Sequence, residues 1–378
     1  MIDGKLVIDA VAHAYDFTPG NRVDSCPPED YDRFVRFVWQ LFHAALESDE
    51  PGYLLSCEEY LAGFGADALA SMFFEESDVD VIAYHGVEIR GFFKHGSSPY
   101  AIGEEMKRRW PDRVLLYAPV DPLAGPQELE LMEQRAATGL VDGFKFYPSD
   151  GMIDPARHRT RTILYDDREL AWPYFEQARR LGIPRVAIHK AQPVGPGPTT
   201  SVEVDDVSVA AVAFPDMIFE VVHSGWAFLE DCALQLMLHP NIWANLEGVA
   251  NFVVQRPRRF AEILGTLLQY GGADRLVFGT GGMQAHPQPI VQAIRDLEMP
   301  ADLVEGMGLP SLTAEDKAKL LGGNMARLHG LDVPALTARL AADEWAERRR
   351  ARLAEDAVAG GPQPWRFHRA AMAAAAAR

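Results

Sequence analysis

The sequence predicts a (β/α)8 barrel. Short apolar runs alternate with amphipathic ones along the chain, and about eight of the apolar runs are present. Each is nearly continuous in apolar character, as strands buried on both faces of a parallel sheet must be. Helices between eight such strands make a barrel. A doubly wound sheet shares the alternation, since the pattern alone does not show closure.

The first run is LVIDAVAH (6–13), followed by VDVIAYHGV (79–87), RVLLYAPVDP (113–122) and GFKFYPS (143–149). RVAIHKA (185–191), IFEVVHSG (218–225), IWANLEGV (242–249) and RLVFGTGG (275–282) complete the set. Among the helical segments, PQELELMEQRAATG (126–139) has acids in its first turn and stops at a glycine, which suits the helix dipole and a C-terminal cap. Segments 167–182, 257–272 and 286–298 are further helical patterns. Two regions fall outside the repeat. Residues 17–78 separate the first two strands by far more than a usual loop and hold an amphipathic helix at 30–46. An insertion after a strand lies on the catalytic face of a barrel, so this one is expected to act as a lid. The barrel is assigned to 1–332, and 333–378 to a C-terminal helical extension or tail, with a long charged helix at 336–357.

Acidic residues outnumber basic ones by 54 to 36, for a net charge of −18. Such a surface repels nucleic acid and anionic membranes, so neither is expected as a partner. The three cysteines, Cys26, Cys57 and Cys232, are scattered and form no C-x-x-C, which suits a reducing compartment. The opening MIDGKLVID places Asp3 and Lys5 ahead of any long apolar run, so no signal peptide is read and a cytoplasmic setting is expected.

In a barrel, chemistry collects at the C-terminal strand ends. Those ends carry His13, His85, Asp121, Lys145 with Tyr147, His189 with Lys190, His223, Asn245 with Glu247, and Thr280 with Gly281. Four histidines at such positions, from 11 in the chain, point to a site rather than to isolated core residues. Imidazole with carboxylate is the ordinary ligand set for zinc and its neighbours. Asp9 lies deeper on the first strand and reads as a hydrogen-bonded core residue. Lys145 reads either as a charge in the pocket or as the partner of Glu247 in an internal ion pair. His85 and His286 are placed at the mouth, His95 and His239 on the surface.

The ordered set IDAVAH, WPDRVLLYAPVDP, GFKFYP, VAIHKA, FPDMIFEVVHSG, DRLVFGTGG and LTAEDKAKLLGGNMARLHGLD resembles the amidohydrolase superfamily, in its "amidohydrolase 2" branch of hydrolases and decarboxylases. The resemblance implies a distorted (β/α)8 barrel. It also implies an H-x-H pair of metal ligands ending strand one, a third histidine on strand five, an acid/base histidine on strand six and a metal-binding aspartate on strand eight. His13 matches the second histidine of H-x-H, but Val11 stands at the first. His189 matches the strand-five ligand and His223 the strand-six histidine. Gly281 stands where the aspartate belongs. Two expected ligands are therefore missing, and the resemblance implies a degenerate metal site. GTGGMQAHPQP (279–289) further resembles an actinobacterial subgroup encoded near multicomponent di-iron monooxygenases.

Three functions stay open. The first is a hydrolase or decarboxylase of small organic acids or carbonyl compounds, with one divalent metal, zinc for preference, on His13, His189 and Glu247 and with His223 as acid/base. The second is a non-catalytic accessory, assembly or maturation partner, for instance of a monooxygenase component. The third is metal-free acid/base catalysis by His223, Lys145 and Glu247. A homodimer is expected in each case. No G-x-S-x-G, H-E-x-x-H, P-loop or G-x-G-x-x-G occurs, which disfavours serine hydrolases, zincins and nucleotide binders.

Overall fold

A computed structural model describes residues 1–45, 51–154, 159–192 and 199–377. Its eight central strands run parallel and in chain order. They are β1 (Ile8–Ala12), β2 (Val81–His85), β3 (Val114–Val120), β4 (Gly143–Phe146), β5 (Arg185–His189), β6 (Ile218–Val222), β7 (Ile242–Asn245) and β8 (Leu276–Val277). Registers such as Ile82 opposite Val114, Phe144 opposite Val186 and Phe219 opposite Ile242 carry the sheet round. The amide of Ala10 donates to the carbonyl of Phe278 at 2.9 Å, joining the first and last edges into a barrel.

The apolar runs are continuous because both strand faces are covered. One set, including Ile8, Val81, Leu115, Ala187, Trp243 and Val277, fills the barrel interior. The alternate set, including Ile82, Leu116, Phe144, Phe146 and Phe219, packs against the surrounding helices. β8 is shorter than its apolar run. Beyond Val277 the amide of Thr280 is taken at 3.1 Å by the Asp9 carboxylate, which also accepts the Thr280 hydroxyl and the Val11 amide. Asp9 thus clamps β1 to the end of β8 from inside the core, and burial raises its pKa to about 7.

The helix in the insertion spans Pro28–Ala45; Leu46, the last residue of the predicted segment, lies outside the described residues. At the other end of the chain, helices Val333–Ala341, Glu344–Ala359 and Arg366–Ala376 pack on the barrel. Trp345 is buried beside Phe74 and Trp110, and His368 stacks on Phe64 with ring centroids 3.9 Å apart. No helix among the described residues is long and apolar enough to cross a membrane.

Glu76 pins this extension. Its carboxylate accepts from the Trp365 amide at 2.6 Å and from His286 Nε2 at 3.2 Å, and pairs with Arg352 at 2.9 Å. His286 therefore sits away from the mouth where its spacing placed it. Burial alone would raise the Glu76 pKa, but the His286 hydrogen bond and the nearby charges pull it down to about 2. A carboxylate held below its ordinary value contributes stability that is complete above the unfolded pKa and is lost as pH falls through the folded one. The gap in unfolding free energy between the native chain and Glu76→Gln is expected to be on the order of 3 kcal/mol at neutral pH. It should shrink as pH falls from the unfolded value near 4.5 towards about 2. Urea unfolding across that range checks this; a gap independent of pH would contradict it.

Candidate active site

The strand ends open into a cavity with about 670 Å³ of atom-free space, its solvent mouth included. His13, Lys145, Tyr147, His189, His223 and Glu247 line it from the barrel, and Phe34, Phe37, Val38 and Leu41 from the inserted helix. The five residues assigned to chemistry from the sequence thus share one cavity. Period-two alternation explains Lys145: Phe144 and Phe146 face the helices, so the residue between them faces inward.

The histidines are ordered by what their nitrogens touch. His13 Nδ1 lies 2.8 Å from the His85 carbonyl, which can only accept, so Nδ1 carries the hydrogen. Burial, then the positive charges of Lys145 and His223, lower the His13 pKa to about 4, although Glu247 opposes them. His13 is therefore neutral near pH 7, with Nε2 bare. His189 Nε2 faces the Gln192 carbonyl at 2.8 Å and must donate to it. Burial and the charge of His223 hold His189 well below the ordinary imidazole range, so its Nδ1 is an acceptor. His223 Nε2, 2.9 Å from that Nδ1, must then be a donor. His223 Nδ1 faces the Glu247 carbonyl at 3.0 Å and pairs closely with the Glu247 carboxylate. Both are acceptors, so both nitrogens of His223 carry hydrogen and the ring is an imidazolium. Its counter-ion is Glu247. Burial would raise the Glu247 pKa, but His223, His13 and Lys145 together bring it below its usual value. His223 also has φ of 68°, a strained conformation for a non-glycine residue and one that recurs at functional strand ends.

Gly281 explains where the carboxylate sits. Its φ is 81°, and a Cβ built there would lie 2.3 Å from Glu247 Oε1 and 2.7 Å from Gln284 Oε1. The Glu247 side chain occupies the space into which a residue at 281 would project.

The amidohydrolase family model matches residues 65–331, well over half of the chain. The chain belongs to the amidohydrolase family. The match starts beyond β1, so the placing of His13 comes from the structure. No curated protein matches the sequence. Among solved structures, an uncharacterised TIM-barrel protein of Bordetella bronchiseptica is 17% identical with a TM-score of 0.53, covering 86% of this chain and 98% of its own. 5-Carboxyvanillate decarboxylase of Sphingomonas paucimobilis is 16% identical with a TM-score of 0.53, covering 87% and 100%. An amidohydrolase of Burkholderia multivorans with bound zinc is 15% identical with a TM-score of 0.52, covering 86% and 99%. At these identities the likeness is one of fold.

The zinc bound in the Burkholderia multivorans structure raises the question of whether this chain's donors fit a divalent ion. As arranged, they do not. His189 has both nitrogens engaged, Val11 and Gly281 offer no donor, and of the candidate ligand set only His13 Nε2 and the Glu247 carboxylate remain among the described residues lining the cavity. Among the described residues no group of three or more histidine, cysteine, aspartate or glutamate side chains is placed to hold a metal ion.

Other strand-end residues have separate duties. Lys190 turns away to Asp206 at 2.7 Å and the Ser201 carbonyl at 2.9 Å. His85 stacks on Tyr117 in the core, with centroids 4.4 Å apart, rather than at the mouth. His95 is exposed and His239 half-buried. Sequence reasoning missed Tyr15, Gln192 and Gln284. Tyr15 packs on His13 with centroids 4.9 Å apart and receives a hydrogen bond from Gln284 at 2.8 Å. The period-two spacing of His13, Tyr15 and Phe17 was the available signal.

Proposed function

We propose that this amidohydrolase acts on a small organic acid or carbonyl compound as a hydrolase or decarboxylase, with protein groups standing in for the metal centre. The observation that carries the reading is the His223–Glu247 ion pair, seated in the space beside Gly281 and lining the cavity at the strand ends. An aromatic and aliphatic wall from the inserted helix suits the apolar part of such a ligand, and the charged floor suits its oxygen atoms.

In this mechanism His223 is the acid. A ligand atom on which negative charge develops competes with His189 Nδ1 for the Nε2 hydrogen of the imidazolium, and Glu247 at Nδ1 keeps the ring charged until then. His13 Nε2 is the neutral acceptor on the other side of the floor. The apolar wall of the inserted helix lowers the local dielectric and strengthens both interactions. His189 fixes the orientation of His223 through their shared hydrogen bond.

The test is turnover of a panel of small lactones, N-acyl compounds and β-oxo acids. Activity is expected to survive exhaustive chelation and to fall about 100-fold or more in His223→Gln. Activity that requires added metal, or that is unchanged in His223→Gln, would contradict the proposal.

A further inference from the structure

Lys145 is buried in the floor of the cavity, yet among the described residues it makes no hydrogen bond and no ion pair. The lysine on the next strand behaves in the opposite way. Lys190 is buried too, and its ammonium is satisfied by Asp206 and the Ser201 carbonyl. A buried ammonium without acceptors is costly, so Lys145 holds its proton less tightly than an exposed lysine does. Burial lowers the Lys145 pKa to about 8, against the pull of Glu247 and Glu220. The internal ion pair with Glu247 that the sequence allowed is not formed, because Glu247 is turned to His223.

A desolvated amine facing an enclosed small-molecule cavity is a nucleophile. We infer that Lys145 attacks the carbonyl carbon of small aldehydes and ketones in this cavity and carries them as imines. The inference rests on reading the cavity as a site for small carbonyl compounds. The neutral Nζ forms the C–N bond, and the carbonyl oxygen takes a proton to give a carbinolamine. Protonation of that hydroxyl releases water and leaves the iminium. Where the ligand is a β-oxo acid, the bond to the carboxylate then breaks. Its electron pair moves into the iminium, giving an enamine and carbon dioxide. Protonation at carbon and addition of water return the ketone and the free amine. The net change is one proton consumed per carbon dioxide released, and no oxidant or reductant takes part.

The experiment uses the full chain with 2-pentanone or 3-oxohexanoate, each with sodium borohydride to fix any imine, followed by peptide mapping. At pH 7 Lys145 is expected to have about a 300-fold larger neutral fraction than an exposed lysine, and to label first and once per chain. Lys145→Met should lose that adduct. Mapping on the native chain decides the matter whether or not the variant folds. Labelling confined to exposed lysines, with Lys145 unmodified at saturating ketone, overturns the inference. If that result accompanies His223-dependent turnover, only the imine is lost and the proposed function stands. If the adduct forms on Lys145 while turnover ignores His223, the imine stands and the acid/base reading fails.

Discussion

Glu247→Leu is expected to destabilise the native chain by about 3–5 kcal/mol, the usual consequence of removing one partner from a buried ion pair. Glu247 and His223 are both almost wholly buried, so solvent cannot replace the lost carboxylate. The remaining imidazolium would have to keep an uncompensated charge or lose its proton, and with it the hydrogen bond that orders His189 or the one to the Glu247 carbonyl. Replacing both partners, as His223→Phe with Glu247→Leu, removes charge and counter-charge together and should recover most of the loss. Urea unfolding of the two single variants and the double variant measures the coupling. A Glu247→Leu cost below about 1 kcal/mol would show that the pair is not the electrostatic centre of the site.

Gly281→Asp, which restores the residue expected from the family resemblance, is the second large effect. Two costs combine. A side chain at φ of 81° carries left-handed strain of about 1–2 kcal/mol. Its Cβ would also lie 2.3 Å from Glu247 Oε1, so the carboxylate must leave its seat and its ion pair. In Glu247→Ala the strain and the close approach to the flexible Gln284 side chain remain, but the clash with the carboxylate is gone. Gly281→Asp is therefore expected to cost less in that background, with a coupling of about 1–3 kcal/mol between the two positions. An equal cost in both backgrounds would mean that Glu247 does not occupy the place of a residue-281 side chain.

The barrel was legible because its physical signature is local. Strands covered on both faces must be apolar along their length, and each of the eight runs met that condition. β8 is shorter than its run because Asp9, far away in sequence, takes the amide of Thr280. The gathering of His13, Lys145, His189, His223 and Glu247 was also legible, since parallel strands place their C-terminal ends together. The order of protons among them was not. It depends on which carbonyl each ring nitrogen meets, those of His85, Gln192 and Glu247 itself, and these are facts of loop conformation. The choice between a paired and an unpaired Lys145 was hidden for the same reason, because His223 and Lys145 compete for one carboxylate. The cavity wall was half visible: 30–46 announced an amphipathic helix, but not that Phe34 and Phe37 would face the barrel mouth.

We propose that a charge pair within this chain takes the place of a metal centre. The most direct test is zinc content after loading and dialysis, measured by elemental analysis on the native chain and on Val11→His/Glu247→Ala/Gly281→Asp. The native chain is predicted to retain no stoichiometric zinc. The variant, which supplies the absent histidine and aspartate and clears the carboxylate from their space, is predicted to hold about one ion per chain. One zinc per native chain, lost in His13→Ala/His189→Ala, would contradict the account.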